Sequence, residues 1–345
     1  MSYSFPSTLA EAAMLAEREP HSAYIAGGTD LMVRRSLNLD SAGHLIDLSG
    51  IEELRGIVLT GNTLTIGGAT TLAELAADPS VQSFFPALSQ AALSIASPPV
   101  RNSATVAGNL LCENRCVYYD QSEFWQTAAG GCLKCGAEVC IATGSAKHCY
   151  SVFISDLAPV LIALGSRVEV FDHARVEGAV PGTRPYPEKS GAGRIVDDAG
   201  TCHALSVEEL YTGDGLNPLT ISKKDILTRI VLQIPSKEAS STMQRSIFFR
   251  KLRPRASVDF TNLTVAIGCT PSGSLILAAS GIGPAPAVLS AMMGRSPKPE
   301  DINALVAGLL KQSQIIDNLS YLRSYRKEML YETVKQGIAM FFPEQ

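Results

Sequence analysis

The chain has 345 residues, 46% of them hydrophobic and 18% charged, and a formal net charge of -4 at pH 7. This length accommodates two or three domains with their own cores, and this composition excludes a disordered chain. Lysine and arginine are scattered along the sequence, which therefore offers no electrostatic footprint for nucleic acid.

Neither a targeting signal nor a membrane span is predicted. The N-terminal stretch MSYSFPSTLAEAAMLAERE lacks the basic and apolar segments of a secretory signal. The longest uncharged stretch, 261–294, is interrupted by proline and glycine and does not resemble a transmembrane helix. We therefore expect a reducing, cytoplasmic compartment, in which clustered cysteines bind metals more often than they form disulfides.

The N-terminal region alternates helices and strands. Thr8 and Glu11 are spaced as a capping box ahead of an Ala- and Leu-rich run, which predicts an opening helix. A strand over 22–26 leads into the glycine motif AGGTD at 26–30, and a second helix is expected from Leu31. Two strands are predicted next, at 45–48 and at 63–66. They are followed by a helix for which Thr71 and Glu74 have capping-box spacing. This order predicts a mixed fold of helices and strands.

A cysteine-rich segment is predicted as an insertion between ordered elements. A helix ending near Ile95 leads into a second glycine loop, TVAGN at 105–109, and the cysteines follow directly. Regular structure resumes over 151–172, which predicts a turn, a buried helix and a strand. An exposed Gly- and Pro-rich region is predicted at 176–200 and a domain boundary at 236–243. Two final helices are predicted at 300–311 and 320–341.

The two glycine loops are candidate phosphate-binding segments. A loop between a strand and a helix places backbone N–H groups and the helix N-terminus against a phosphate, and glycine allows close approach. AGGTD has that setting, although a glycine turn without a ligand is an equally good interpretation of this loop alone. The second loop favours a large diphosphate ligand held between two subdomains. The sequence contains no GxGxxG opening a helix and no Walker motif, so it gives no support for a Rossmann or P-loop domain.

Six of the eight cysteines lie in one short segment, with the spacing Cys112-x3-Cys116-x15-Cys132-x2-Cys135-x4-Cys140-x8-Cys149. A zinc ribbon would prefer two CxxC pairs, and only Cys132 and Cys135 form one. Incidental thiols would be spread through core strands, as Cys202 and Cys269 are expected to be. Four thiolates spaced widely on a glycine-bearing loop are able to wrap a cubane iron-sulfur cluster.

The residues around these cysteines suit a cluster. Four aromatic side chains are predicted to shield it from water, and three cations to offset its negative charge. The aromatic residues are Tyr118, Tyr119, Phe124 and Trp125, and the cations are Arg115, Lys134 and Lys147. Each aromatic residue taken alone is more often ordinary packing than a cofactor wall.

Five motifs in order along the chain resemble a known family. They are AGGTD at 26–30, TVAGN at 105–109, SDLAP at 155–159, RKLRPRASVDF at 250–260 and SYLRSYR at 320–326. Together they resemble the FAD-binding medium subunits of the xanthine dehydrogenase family of molybdenum hydroxylases. The cysteine insertion resembles one branch, the β subunits of 4-hydroxybenzoyl-CoA reductases, whose corresponding segment carries a 4Fe-4S cluster. By this resemblance the cluster ligands are Cys116, Cys132, Cys140 and Cys149, and Cys112 and Cys135 are left over.

The resemblance implies an α+β fold. Residues 1–238 would form a two-lobed FAD-binding domain of the vanillyl-alcohol oxidase type, with the 4Fe-4S loop inserted at about 112–150, and residues 239–345 a smaller C-terminal α+β domain. Asp156 would lie near the flavin, and Lys251 or a neighbour would face its ring. The loop residues expected to hold the FAD diphosphate and ribityl chain are Ala26, Gly27, Gly28, Thr29, Asp30, Thr105, Val106, Ala107, Gly108 and Asn109. Ala107 stands where the family usually has glycine.

The function implied is that of an electron-transfer subunit of an oxidoreductase, with no catalytic residue on this chain. Expected partners are a molybdopterin-binding large subunit, a 2Fe-2S small subunit and an external carrier such as ferredoxin. Two alternatives stay open: the medium subunit of an oxidative xanthine or aldehyde dehydrogenase, and a zinc-stabilised nucleotide-binding module without redox chemistry.

Overall fold

Three β-sheets organise the chain in the computed structural model, which describes residues 2–173, 202–234, 246–255, 258–270, 272–294 and 296–343. The first sheet is parallel and has the strand order β1-β3-β2. Its strands and the accompanying helices are β1 (Ser2–Ser4), α1 (Leu9–Arg18), β2 (Ser22–Ile25), α2 (Leu31–Ser36) and β3 (His44–Asp47). Thr8 caps α1 by accepting a hydrogen bond from the Glu11 N–H at 3.2 Å, so the predicted opening helix is confirmed.

A five-stranded antiparallel sheet with the order β4-β5-β8-β6-β7 forms the second part of the fold. Its strands are β4 (Ile57–Thr60), β5 (Thr63–Gly67), β6 (Arg167–Phe171), β7 (Cys202–Ser206) and β8 (Ile226–Gln233). The helices packed around it are α3 (Leu72–Ala77), α4 (Pro79–Phe84), α5 (Pro86–Ser94), α6 (Pro98–Arg101) and α7 (Val106–Leu110). Thr71 and Glu74 form a complete capping box on α3, as their spacing predicted.

The third sheet is antiparallel and has the order β12-β11-β10-β9. Its elements are β9 (Ser246–Leu252), β10 (Leu263–Cys269), β11 (Ser274–Ser280) and β12 (Ala287–Met292), followed by two helices, α10 (Pro299–Lys311) and α11 (Arg323–Phe341). Leu330, Val334 and Ile338 of α11 pack against the sheet in one core. The last helix was predicted from residue 320 but begins at Arg323, and the preceding Leu322 is exposed.

One helix joins the second and third sheets. All residues from Leu157 to Ala163 of α9 (Leu157–Leu164) are buried. They share a core with residues of the five-stranded sheet and with Ala266 and Ala278 of the four-stranded sheet. The sequence from 155 to 159 is therefore held between two sheets, and this fixes the position of Asp156.

The cysteine insertion begins after α7 and ends before α9. The backbones of Arg115 and Val152 exchange two hydrogen bonds, at 2.9 and 2.7 Å, which close the base of the insertion. Within it the sequence predicted only loop, whereas the structure contains a short helix, α8 (Glu123–Ala128), capped by Ser122, and a 3-10 turn over Leu133–Cys135. We call residues 112–150 the cysteine loop.

Two expectations fall outside the described residues: the exposed region at 176–200 and the domain boundary at 236–243. The division at residue 238 therefore stays a prediction. Among the helices of the described ranges, none combines the length and the apolar character needed to cross a bilayer.

Candidate functional site

Both glycine loops line one cavity of about 2390 Å³. With one exception, every residue predicted to contact FAD contributes to its wall: Ala26, Gly27, Gly28, Thr29, Asp30, Thr105, Ala107, Gly108, Asn109, Asp156 and Lys251. The exception is Val106, which is buried in the core beneath the second loop. The structure therefore brings together segments that are far apart in the sequence.

The first loop requires glycine because it closely approaches residues 103–104, just before the second loop. A Cβ atom on Gly27 would lie 1.8 Å from the carbonyl oxygen of Ser103, a distance that no side chain tolerates. Gly28 has φ +67°, in the left-handed region that glycine adopts without strain. Bare backbone therefore faces the cavity where the two loops meet, as a phosphate-binding segment requires.

The second loop forms the first turn of α7. Thr105 caps this helix by accepting a hydrogen bond from the Gly108 N–H at 3.1 Å. Ala107 lies inside the helix, and its N–H donates to the Gly68 carbonyl at 3.0 Å. Because Ala107 has no positive φ, alanine replaces the family's usual glycine here without backbone strain.

A buried ion pair lies at one side of the cavity. Lys251 Nζ donates to Asp156 Oδ2 at 2.6 Å, and both side chains are only 5% exposed. Lys251 also donates to the Ser94 carbonyl at 3.1 Å, and the Thr264 hydroxyl donates to the other carboxylate oxygen at 2.5 Å. Both charges are therefore paired and hydrogen-bonded, which burial of a charge requires. The pair offers a fixed cation and anion to whatever occupies the cavity.

The cavity is connected to the cysteine loop by charged side chains. Arg115 forms an ion pair with Asp30 of the first glycine loop, and its guanidinium lies 5.1 Å from the centre of the Phe260 ring. Phe260 also lines the cavity. Because Cys116 follows Arg115 directly, the first predicted cluster ligand is one residue away from a contact with the glycine loop. The sequence suggested Arg115 as a counter-charge but gave no sign of its partner.

A second connection runs through Glu113. Its carboxylate contacts Lys134 of the cysteine loop at 2.5 Å and Arg34 of α2 at 3.6 Å. Burial acts to raise the pKa of Glu113, but Lys134 and Arg34 outweigh it and hold that pKa below its ordinary value. Arg34 also donates to the Tyr119 hydroxyl at 3.3 Å, so α2 and the cysteine loop share one polar network.

The six clustered cysteines differ in exposure. Cys116, Cys132 and Cys149 are buried, Cys140 is partly exposed and Cys135 is exposed. Burial raises the pKa of the Cys116 thiol to about 11. Cys112 differs from the other five in that it lines the cavity. Burial raises the pKa of its thiol to about 12. The three buried thiols are all among the four predicted ligands.

Cys132 and Cys135 are joined by a tight turn, in which the Cys135 N–H donates to the Cys132 carbonyl at 2.8 Å. The interaction between the two residues lowers the pKa of Cys132 and raises that of Cys135. At the C-terminal end of the cysteine loop, the Cys149 N–H donates to Asp214 at 3.0 Å and its thiol donates to the Ser151 hydroxyl at 3.3 Å. The last predicted ligand is therefore held by residues near it in space.

The spacing of the thiols bears on the kind of metal group they fit. Tetrahedral zinc, with Zn–S bonds of about 2.3 Å, brings its ligand sulfurs within roughly 4 Å of one another. Within the described ranges, no three cysteine sulfurs lie within 4.8 Å of one another. The cysteine sulfurs therefore do not form a preassembled tetrahedral zinc site in the described part of the chain.

The aromatic residues of the loop are only partly as predicted. Tyr119 is buried and packs with Cys116 and Cys132. Tyr118 and Trp125 are in contact, with ring centres 6.3 Å apart, whereas the Phe124 side chain is 85% exposed. Phe124 was predicted to shield the cluster, and this is wrong in the isolated chain, because it lies on the outer face of α8.

A cluster of acidic and histidine side chains at the far end of the cavity was not predicted. Asp172, His173 and Asp225 are within 4.8 Å of one another. His173 Nδ1 lies 2.7 Å from Asp225, whose carboxylate also accepts the backbone N–H groups of His173 and Ser222 at 3.2 and 2.8 Å. These bonds give Asp225 a structural role in a turn.

A family model described as the FAD binding domain in molybdopterin dehydrogenase matches residues 1–184. The chain belongs to this family. It is 28% identical over 288 residues to the aldehyde oxidoreductase FAD-binding subunit PaoB of Escherichia coli strain K12, a match that covers 81% of this chain and 80% of that one. It is 43% identical over 110 residues to a putative xanthine dehydrogenase FAD-binding subunit of the same organism, covering 32% of this chain and 38% of that one.

Solved structures show the same fold. Carbon monoxide dehydrogenase from Hydrogenophaga pseudoflava matches with a TM-score of 0.68 and 19% identity, covering 98% of this chain and 96% of that one. Quinoline 2-oxidoreductase from Pseudomonas putida 86 matches with a TM-score of 0.67 and 15% identity, covering 99% and 96%. The predicted α+β architecture with an FAD-binding domain is confirmed, and the chain is an FAD-binding subunit of the molybdenum hydroxylase family.

Proposed function

We propose that this FAD-binding subunit carries a 4Fe-4S cluster as well as FAD and transfers electrons between them. The observation that carries the proposal is the contact between the two regions: Arg115, beside the first cluster ligand, forms an ion pair with Asp30 in the glycine loop of the cavity. A shared wall of this kind suits two redox groups that exchange electrons. The flavin is able to accept or donate electrons singly or in pairs.

In this proposal the protein groups bind and orient FAD. Backbone of the two glycine loops, at 26–30 and 105–109, holds the diphosphate and ribityl chain. The Asp156–Lys251 pair supplies a fixed charge on each side of one hydrogen bond, and its burial excludes water from that wall. Of the residues proposed to contact FAD, all but Lys251 then lie in the N-terminal domain predicted at 1–238. Lys251 lies in the C-terminal domain predicted at 239–345.

The cluster is assigned to Cys116, Cys132, Cys140 and Cys149. The burial of three of these thiols supports the assignment, and Tyr119 covers two of them. Lys134 contributes to lowering the pKa of Cys132, and Arg115 directly precedes Cys116 in the sequence. Cys135 is not assigned as a ligand. Its N–H donates to the Cys132 carbonyl and so fixes the turn that carries this ligand.

The complex is proposed to contain a molybdopterin-binding large subunit and a 2Fe-2S small subunit, with a ferredoxin-like external carrier. The cysteine loop favours a complex that resembles 4-hydroxybenzoyl-CoA reductase, in which substrate chemistry takes place on a partner chain. The names of the relatives, an aldehyde oxidoreductase subunit and a xanthine dehydrogenase subunit, support an oxidative complex equally well. Substrate turnover by the complex co-purified from its host separates the two.

A zinc site is the second candidate for the cysteine loop. The tight turn that joins Cys132 and Cys135 favours it, since CxxC pairs bind zinc frequently. In that case the loop would have a structural role and the chain would exchange electrons through FAD alone.

Metal and flavin analysis of anaerobically purified protein tests the proposal. We expect about four iron and four sulfide per chain, brown colour, and one FAD. The glycine loops contain no histidine or cysteine, so FAD should be released intact by acid precipitation. Zinc without iron would contradict the cluster assignment, and flavin retained in the pellet or released as FMN would contradict non-covalent FAD.

A further inference from the structure

Ala96, in the short segment between α5 and α6, has a backbone conformation that is unfavourable for alanine. Its φ is +46°, in the left-handed region, where the Cβ atom crowds the backbone. Among the non-glycine residues that the structure describes, only Asn38 also has a positive φ, and asparagine tolerates it better. Strain of this kind persists only where surrounding contacts hold it. Ala96 lines the cavity, so the strained residue belongs to the wall of the proposed FAD site.

Arg101, at the end of α6, makes the contacts that hold Ala96. Its Nη1 donates to the Ile95 carbonyl at 2.8 Å and to the Ala96 carbonyl at 2.9 Å. A guanidinium nitrogen of this type has two hydrogens, one for each carbonyl. In the described part of the chain the Arg101 guanidinium has no carboxylate partner. Its position is therefore explained by the two carbonyls that it binds.

Two further cations bind the carbonyl that precedes this pair. Lys251 Nζ and Arg253 Nη1 donate to the Ser94 carbonyl at 3.1 and 3.2 Å. The three successive carbonyls at 94–96 thus all accept hydrogen bonds from cationic side chains. Lys251 is also a member of the buried ion pair in the cavity wall. The strained segment is therefore fixed next to the residue expected to face the flavin ring.

The direction of the carbonyls determines where the adjoining N–H groups point. In a planar trans peptide the C=O and the N–H point in opposite directions. The Ile95 carbonyl points at Arg101, so the Ala96 N–H points away from it. Ile95 and Ala96 line the cavity, whereas Arg101 does not. In the contacts of the described residues the Ala96 N–H has no acceptor, so it is a donor available to a ligand.

We propose that Arg101 is a positioning residue for FAD: it holds Ala96 in the left-handed conformation, in which the Ala96 N–H donates a hydrogen bond to the flavin ring. This inference rests on the proposed binding of FAD in the cavity beside Lys251. Hydrogen bonds to the acceptor atoms of the ring tune its electronics, and a donor stabilises the electron-rich reduced form. Arg101 therefore affects both the affinity for FAD and the flavin potential without touching FAD itself.

The test introduces Arg101→Leu into two backgrounds, the wild-type chain and Ala96→Gly. Glycine adopts a positive φ without strain, so the Ala96→Gly chain keeps the N–H and depends less on Arg101 to present it. In the wild-type background we expect Arg101→Leu to weaken FAD binding about tenfold, because nothing then holds the strained alanine. In the Ala96→Gly background the same change should weaken binding by less than about threefold. Fluorescence titration of the full-length apoprotein with FAD measures both effects.

Arg101→Lys and Arg55→Leu are the controls. Both bonds of Arg101 come from one nitrogen, so a lysine ammonium is able to replace them in part, and Arg101→Lys should recover most of the affinity. Arg55 donates to the Ser49 carbonyl at 2.8 Å, and neither residue lines the cavity. Arg55→Leu should therefore bind FAD as the wild type does.

The flavin potential gives a second measurement. In Arg101→Leu the midpoint potential of bound FAD should fall, because the donor to the ring is no longer fixed. A tenfold weaker preference for the reduced flavin corresponds to about 30 mV for two electrons. Arg55→Leu should keep the wild-type potential.

Equal weakening by Arg101→Leu in the two backgrounds would overturn the inference, because Arg101 would then act on folding in general and not through Ala96. Unchanged affinity and potential in Arg101→Leu would overturn it too, as would an equal loss in Arg55→Leu. If Arg101→Leu does not fold but the double variant folds and binds FAD, the coupling to Ala96 is shown and the inference is supported; failure of both to fold would overturn it. A wild-type chain that binds no FAD would instead refute the proposed function.

Discussion

The cavity lies among strands and helices of the main cores, and its two glycine loops connect such elements, whereas the cysteine loop at 112–150 contains one six-residue helix and a 3-10 turn. Among the residues that line the cavity, Leu54, Leu72 and Leu227 are members of these cores. The buried apolar cluster of the cysteine loop has only three members, Cys116, Tyr119 and Cys132, and two of them are proposed ligands.

This difference shows where each region obtains its order. The cavity is shaped by packing that exists without a ligand, so it should survive the loss of the cluster. The cysteine loop is held at its base by the pairing of Arg115 with Val152 and by the Asn318 side chain, which donates to the Tyr150 carbonyl. Under the proposed function the part between these anchors would gain further order from the bound cluster, because metal binding contributes directly to folding.

The largest effect is expected from removing a ligand. Cys116→Ser, Cys132→Ser, Cys140→Ser and Cys149→Ser each replace a soft thiolate with a poor iron ligand, and iron should fall far below about four atoms per chain. Protease cleavage within the cysteine loop should become faster, while FAD content stays near one per chain. Iron analysis, limited proteolysis and flavin absorbance measure the three outcomes.

The leftover thiols provide the controls for this prediction. Cys135→Ser and Cys112→Ser should retain iron, because neither residue is assigned as a ligand. The zinc alternative predicts the opposite for Cys135→Ser, since Cys132 and Cys135 would then be the natural pair. Metal lost from Cys135→Ser and kept by Cys116→Ser would show that the ligand assignment is wrong.

The next largest effect is expected in the cavity wall. Asp156→Asn leaves the Lys251 ammonium buried without its partner, and breaking a buried pair typically costs about 3–5 kcal/mol of unfolding free energy. Urea unfolding should show this loss, together with weaker FAD retention and unchanged iron per folded chain. In Asp156→Asn combined with Lys251→Met, part of the stability should return, because no unpaired charge remains.

A surface pair provides the comparison for Asp156. Arg229 and Glu169 are 3.6 Å apart, with side chains 47% and 31% exposed. Glu169→Gln should therefore cost less than about 1 kcal/mol, as solvent-exposed pairs do. An equal cost for Glu169→Gln and Asp156→Asn would remove the reason for treating the buried pair as part of the site.

A smaller loss of stability is expected from Gly27→Ala. The added methyl group would overlap the Ser103 carbonyl, so the two glycine loops must separate, at a cost of about 1–3 kcal/mol. The more specific consequence is a loss of FAD affinity with iron retained, measured by flavin fluorescence during dilution. Gly43→Ala is the control, because a Cβ at that position meets nothing within 4 Å. Equal FAD retention in the two variants would contradict the close approach of the loops.

The sequence predicted the cavity better than the cysteine loop for a physical reason. Glycine turns, capping residues and hydrophobic periodicity are local signals, and they located the two loops and the helices that follow them. The order of the family motifs then supplied Asp156 and Lys251. Their 2.6 Å ion pair joins α9 to β9, and a contact between residues so far apart in the chain has no local signal.

The cysteine loop lacks periodic signals, so its internal structure was predicted less well. Helix α8 was missed because its six residues are too short for a hydrophobic period, and Phe124 was given a buried role that its position on α8 does not allow. The Asp30–Arg115 ion pair and the contacts of Asn318 depend on packing between distant segments. Only the identity and spacing of the cysteines were readable in advance.

The smallest effect is expected from Glu113→Gln. This change weakens an anchor of the cysteine loop and leaves the proposed cluster ligands intact. The Glu113 carboxylate joins Lys134 of the loop to Arg34 of α2, and its side chain is 18% exposed. Losing a charged hydrogen bond here should lower the unfolding free energy by about 1 kcal/mol at pH 7. Glu123→Gln, at an exposed position of α8, should have little effect.

The difference between wild type and Glu113→Gln should depend on pH in one direction. The pKa of Glu113 is lower in the folded chain than its ordinary value of 4.5, so the folded state favours the carboxylate. Its contribution is therefore complete above pH 4.5 and is lost as the pH falls through the folded-state pKa. Urea midpoints of the two proteins should stay separated by a constant amount from pH 7 to pH 5 and converge in more acidic buffer. A separation that widens on acidification would mean that the Lys134 and Arg34 contacts do not stabilise the ionised carboxylate.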